Sequence, residues 1–287
     1  MTESIVGGFS QALVWRVNAL GQAIGNATSM LPAAGSLLPA YRIPWVSNAT
    51  LNKGELTAVE YFESDAVGDQ LAFGDTRLRN LQVTLETEDD GFISWIHGMA
   101  VDTAYNTEMP HYGTEGTAIT LPQIGIMLTQ QAKNVVTGAR MYRHLVTSLS
   151  TGTATESNWG YQAKKTIDLN LIVHSTPYDL HGYAFADMAV NAPNGRLNSY
   201  KIVTDLPLVL FTNIGDGIAQ AFTPVYLPAS AVVTANATPN HFAINSVPTA
   251  PTSFATDTGL LTKAAIGAAD DVETLLYEVP EHFPLAA

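Results

Sequence analysis

Hydrophobic and polar residues alternate with a period of two along much of the chain, the spacing of strands that lay one face on a core. The pattern is clearest at residues 78–86, where Leu81, Val83 and Leu85 fall on one side and Asn80, Gln82, Thr84 and Glu86 on the other. Residues 166–174 repeat it, with Ile167, Leu169, Leu171 and Val173 against Asp168, Asn170, Ile172 and His174. Both read as half-buried strands of an antiparallel sheet. Residues 12–18 predict a strand carrying Leu13, Trp15 and Val17 on one face, entered from Gly7-Gly8, and residues 123–129 another carrying Ile124, Ile126 and Leu128. Shorter strands are expected at 57–62 and 70–73, flanking the turn-rich stretch 64–69, and further strands at 139–150 and 207–212.

One segment departs to a helical period. Thr87, Glu88, Asp89 and Asp90 approximate a capping box with acids near a helix N-terminus, and Phe92, Ile93, Trp95, Ile96 and Met99 follow as an apolar stripe. A second helix is expected at 178–190, disturbed by His181-Gly182. Residues 103–117 read as a long loop, and the Thr/Ser/Gly-rich stretch 151–158 as a flexible loop or arm between two strands.

Beyond residue 213 the chain turns to Ala, Thr, Val, Pro and Asn, with Lys263 its only Lys or Arg. This shift predicts a boundary near Asp205–Leu206, dividing the chain into 1–205 and 206–287. A faint echo links Met99-Ala100-Val101 to Met188-Ala189-Val190, as a duplicated domain would.

Composition then narrows the role. Charged residues make up only 14% of the 287, against roughly 25% in an average soluble domain. The remaining surface of small neutral residues suits packing against copies of the same chain. With 26 acidic and 13 basic residues the net charge is −13, and no Lys/Arg run is present to neutralise phosphates. An acidic wall would instead let a polyanion slide past without sticking. There is no cysteine, which excludes disulfides, thiolate metal sites and cysteine nucleophiles. The first residues carry no basic region of a signal peptide, and the apolar runs are too short to span a bilayer, so the expectation is a chain made in a cytoplasm with no membrane partner.

The search for chemistry finds no constellation. No phosphate loop, dinucleotide fingerprint or nucleophile elbow is present. His174 and His181 form at most a metal pair without an acidic third ligand, and Glu88, Asp89 and Asp90 admit a cation site or a carboxylate pair for glycoside hydrolysis but are explained more simply by a helix start. Trp159 and Tyr161 admit a sugar-stacking reading, beside the simpler one of core or interface anchors. No catalytic residue, cofactor or metal is expected.

Taken in order, residues 7–175 resemble the major tail tube proteins of long-tailed bacteriophages. The resemblance rests on the strand Leu13-Val14-Trp15-Arg16-Val17, the stretch 57–86, the helix at 91–101, and the Pro-containing, Gly-interrupted strand Leu121-Pro122-Gln123-Ile124-Gly125-Ile126-Met127-Leu128. Gly138-Ala139-Arg140-Met141-Tyr142-Arg143 is similar to that family's entry into a long hairpin, whose return arm would be 162–174. Gly215-Asp216-Gly217, followed by Phe222-Thr223, is similar to the opening of small β-sandwich modules of phage tail proteins. Their middle strand would be 231–236, with Asn236-Ala237-Thr238 replacing the usual Asn-Gly turn, and their last strand 274–279.

The resemblance implies a mainly β fold: an antiparallel sheet or β-sandwich of tail-tube type with one flanking helix over 1–205, and a small C-terminal β-sandwich over 206–287 that decorates the virion surface. It implies rings, commonly six-fold, whose sheets close side by side into a channel and stack head to tail. Loops at 103–117 and 151–158 would reach the neighbouring ring. Partners would be the chain itself, terminator, tape measure and baseplate or tip proteins, and DNA passing through the lumen without specific binding. The location would be the virion tail, assembled in the bacterial host cytoplasm. Candidate lumen-facing acids are Glu60, Glu63, Asp65, Asp69 and Glu86. Three readings remain beside it: another virion component such as a capsid or cement protein, a carbohydrate-binding or hydrolysing tail-tip β-protein, and a trimeric ring of tandem tube-like domains.

Overall fold

The computed structural model describes residues 4–17, 41–43, 45–52, 57–61, 70–74, 79–87, 92, 96, 100–101, 110–111, 123–157, 165–174, 199–224, 226–229, 241–245, 247–266 and 268–281. Among them the molecule is mainly β, and every strand pairing is antiparallel. The first part of the chain contributes β1 (Ser4–Arg16), β2 (Tyr41–Ile43), β3 (Trp45–Asn52), β4 (Thr57–Tyr61), β5 (Gln70–Gly74), β6 (Arg79–Glu86), β7 (Ala100–Val101), β8 (Pro110–His111), β9 (Ile124–Asn134), β10 (Arg140–Ser157), β11 (Thr166–Val173) and β12 (Tyr200–Thr204). The remainder contributes β13 (Leu208–Asp216), β14 (Ala221–Phe222), β15 (His241–Ile244), β16 (Val247–Pro248), β17 (Pro251–Phe254), β18 (Leu261–Lys263) and β19 (Ala269–Glu278).

The large sheet runs β2-β1-β9-β10-β11-β6-β3, with β12 added to β10. Its two ends are held by strands that one residue separates in the chain: β2 pairs with β1, and β3, starting after residue 44, pairs with β6. β1 and β3 therefore run close together, and the sheet curls on itself like a barrel. Alternation fills its inside. Ala12 and Val14 of β1, Leu81, Val83 and Leu85 of β6, Ile124, Ile126 and Leu128 of β9, and Ile167, Leu169 and Leu171 of β11 form one apolar inner core. Phe92 and Ile96, four residues apart and helical, are buried in the same core; the end of the helix expected at 91–101 is corrected, because Ala100 and Val101 form β7 and pair with β8, and its other residues lie outside the described ones.

The other face of β1, β9 and β10 is covered too. Leu13, Trp15, Val17, Met127, Val146 and Leu149 pack with Leu208, Leu210, Phe242, Leu275 and Tyr277 into an outer core shared with the C-terminal strands. Those strands form a four-stranded sheet, β13-β19-β15-β16, and a three-stranded one, β14-β18-β17. Residues 208–212 and 273–277 are buried without interruption, which marks β13 and β19 as strands covered on both faces. The chain changes sheets between β12 and β13, next to the compositional shift at 205–206, yet the outer core is continuous across that point.

Three local expectations need correction. Residues 151–157 are not a loop: they extend β10 and pair one for one with β11, from Thr151 opposite Ile172 to Ser157 opposite Thr166. Their Thr and Ala content reads as polar, but β-branched threonines suit a strand, and β11 supplies most of the apolar partners. Gly152 is needed there, because a Cβ would fall 2.0 Å from the Asn170 carbonyl oxygen. The first strand starts at Ser4 rather than after the glycines, and Gly7-Gly8 falls at a bulge between Val6 and Phe9. β3 has no counterpart among the expected strands: its sequence, Trp45-Val46-Ser47-Asn48-Ala49-Thr50-Leu51-Asn52, shows no clear alternation because much of the strand is exposed.

Candidate assembly surface and buried polar sites

β4 and β5 hydrogen-bond to each other, Thr57 opposite Gly74 through Tyr61 opposite Gln70, and to no other described strand. They form a two-stranded ribbon between β3 and β6 in sequence, hydrogen-bonded to no strand of the curled sheet among the described residues. A lone two-stranded ribbon is marginally stable in water, and its outer backbone groups offer a template for further strands. Of the candidate acids, Glu60 lies on β4 opposite Leu71, while Glu63, Asp65 and Asp69 fall in sequence between the two strands and outside the described residues. Glu86 is elsewhere, at the end of β6, where its carboxylate accepts a hydrogen bond from Ser47 Oγ. Glu60 and Glu86 thus lie on different sheets.

A solvent-exposed turn joins β9 and β10. Asn134 Oδ1 accepts from the backbone N–H of Val136 and Thr137, Asn134 N donates to Ala139 O, and Gly138 takes φ 69°. The turn is thereby fixed by its own hydrogen bonds, and it presents Val136 to solvent at 84% exposure with Val135 beside it. Lys133 and Arg140 flank it, and Arg140 pairs with Glu281 near the end of the chain, which also accepts from Tyr142 Oη at 2.8 Å. Burial raises the pKa of the Tyr142 phenol, opposed by the nearby Arg140 charge.

The seam between the large sheet and the C-terminal strands is tied by polar side chains. Gln11 Nε2 donates to Leu208 O at 3.0 Å, and Gln11 Oε1 accepts from Arg42 Nε, whose guanidinium lies 5.8 Å from the Tyr226 ring centre. His144 is buried with Thr129 Oγ1 2.9 Å from Nδ1 and Thr204 Oγ1 2.8 Å from Nε2. Thr204 spends its hydroxyl proton on Leu206 O, so it accepts from His144 Nε2–H, and Thr129 donates to Nδ1. Desolvation lowers the His144 pKa to about 3, which keeps the ring neutral.

The C-terminal sandwich holds a buried charged cluster. Lys263 Nζ of β18 lies 2.6 Å from Glu273 Oε1 of β19, with side-chain exposures of 3% and 0%. Asn213 Nδ2 of β13, directly opposite Glu273 in register, donates to Glu273 Oε2 at 2.8 Å. These residues escaped the motif search because no spacing joins them. The available signal was Lys263 itself, the one cation in an otherwise uncharged to acidic stretch.

The Gly215-Asp216-Gly217 signature is accounted for by geometry. Asp216 Oδ1 accepts from Ile218 N and Ala219 N, Gly217 takes φ 74°, and a Cβ on Gly215 would sit 2.7 Å from Ala268 O. The hydrogen bonds from Ala219 and Ile218 lower the Asp216 pKa. His174 is held by Thr151 Oγ1 at 2.7 Å, and no group of three metal-ligating side chains occurs among the described residues. Among them no helix is long and apolar enough to cross a membrane. His181, Glu88, Asp89, Asp90, Trp159, Tyr161, the second helix at 178–190, the loop at 103–117 apart from 110–111, and the strand expected at 231–236 lie outside the described residues. Comparison with protein families, curated proteins and solved structures finds no match for this chain.

Proposed function

We propose that this protein is a structural subunit that polymerises into the tail tube of a long-tailed bacteriophage, a channel for DNA. The observation that carries this reading is the β4–β5 ribbon, which pairs only with itself among the described residues, whereas the large sheet curls back until β1 and β3 run close together. Ribbons from successive copies, laid edge to edge, would complete each other's backbone hydrogen bonds and line a ring. The ribbon also carries Glu60, with Glu63, Asp65 and Asp69 in the connection between its strands, so a lumen built from it would be acidic and repel passing DNA. The low overall charge supports extensive contact between copies, and rings stacked head to tail would give an open filament.

Negative-stain electron microscopy with sizing chromatography of the purified chain tests the reading. Tubes or stacked rings are expected, and replacing residues 57–74 by a short Gly-Ser linker should leave a folded monomer that forms neither. A wild-type chain that stays monomeric at high concentration, or that binds oligosaccharide as a monomer, overturns it.

A further inference from the structure

From the geometry of Lys263, Glu273 and Asn213 we infer that the C-terminal sandwich forms a covalent isopeptide bond between Lys263 Nζ and Asn213 Cγ, promoted by Glu273. The three side chains come from three strands and two sheets: Lys263 from β18 of the three-stranded sheet, Glu273 and Asn213 from β19 and β13 of the four-stranded one. Each stands two residues along its strand from an outer-core residue, namely Leu261, Leu275 and Phe211, so all three continue the inward-facing rows. Phe222 stacks on Phe211 at 5.5 Å and leans on Phe242 at 5.9 Å, which places aromatic rings in this same core. A lysine is almost never fully buried without a partner, and here the partner carboxylate also grips an amide.

That arrangement supplies each requirement of amide exchange. Glu273 Oε1, 2.6 Å from Lys263 Nζ, receives a proton and leaves a neutral amine with a free lone pair. The amine attacks Asn213 Cγ and puts the developing negative charge on Oδ1. Glu273, already in contact with Asn213 Nδ2 at 2.8 Å, protonates that nitrogen, the Cγ–Nδ2 bond breaks and ammonia departs. Lys263 sheds two protons in all: one leaves on the ammonia, and the other stays on Glu273 until ammonium forms and the carboxylate is restored. No oxidant, metal or co-reactant is consumed. The product is a secondary amide that staples the two C-terminal sheets together. Positioning supports the step as well, since Lys263 N donates to Gln220 O and Gln220 Nε2 donates to Lys263 O, fixing β18 against β14.

The experiment is the intact mass of the denatured, purified full chain, followed by proteolysis and fragment sequencing. The wild type is expected one ammonia lighter than its sequence, with a branched peptide joining the segments that contain residues 213 and 263. Glu273→Gln and Lys263→Met should each restore the full mass and abolish the branched peptide. Asn213→Asp should lose water instead and converge on the same cross-linked mass as the wild type. A wild-type chain at its full sequence mass after prolonged incubation overturns the inference. So does an ammonia loss that persists in Lys263→Met, since that would place the loss at an asparagine alone.

Discussion

The inner core of the curled sheet and the outer core beneath the C-terminal strands are both made of antiparallel strands, but they treat polarity in opposite ways. Inside the curl, apolar rows such as Leu81, Val83 and Leu85 pack together with each strand offering one face, and the polar groups that β10 buries at Thr147 and Ser150 are small hydroxyls bonded to each other. Against the outer core the strands bury both faces, and the interior admits Gln11, His144, Lys263 and Glu273. The first core needs only volume and alternation. The second joins three sheets whose strands run in different registers, and directional bonds fix how they meet.

The contrast can be broken most forcefully at Glu273. Glu273→Ala removes the carboxylate beside buried Lys263 and, with it, the group inferred above to promote the cross-link, and urea unfolding should show a loss of about 3–5 kcal/mol. Leu169→Ala in the inner core creates an apolar cavity and should cost about 2–4 kcal/mol by the same measurement. If Glu273→Ala costs much less than Leu169→Ala, the polar cluster is not what holds the C-terminal layers in place.

Acid sharpens the comparison at His144. The folded ring titrates near pH 3, whereas an unfolded histidine takes up its proton near 6.5. The unfolded chain therefore binds more protons between these values. The stability that His144 contributes is complete above pH 6.5 and declines as pH falls toward 3. Between pH 7 and pH 5 the wild type should lose about 2 kcal/mol more than a His144→Gln variant. Parallel stability curves for the two chains would mean that the ring protonates without leaving its site.

The smallest change in stability is expected at Val136→Lys, at a turn fixed by backbone and Asn134 hydrogen bonds rather than by burial. Unfolding should move by less than about 0.5 kcal/mol. Sizing chromatography is the more informative readout, because a changed assembly state at unchanged stability marks the turn as a contact between copies.

Much of the inner core was legible beforehand, because alternation at Leu81, Val83 and Leu85 and at Ile167, Leu169 and Leu171 registers directly which face is inside. The outer core was less so. A strand covered on both faces, such as residues 208–212, shows a hydrophobic run with no preferred side, so its length and neighbours cannot be read from period. Strands with polar sequences were misjudged for the converse reason: β3 and residues 151–157 are held by backbone pairing to β6 and β11, which leaves little trace in composition. The cluster of Lys263, Glu273 and Asn213 was invisible as a motif because only the sheet register brings residue 213 opposite residue 273.

The eighteen residues of β10 border β9 from Arg140 to Ser150 on one side, and β12 and then β11 on the other, with β11 reaching to Ser157. One continuous backbone thus serves as the common beam of the curled sheet, while its Val146 and Leu149 also anchor the C-terminal layers. Heating cannot detach either half without loosening this shared member. The two halves are accordingly expected to melt in one calorimetric transition.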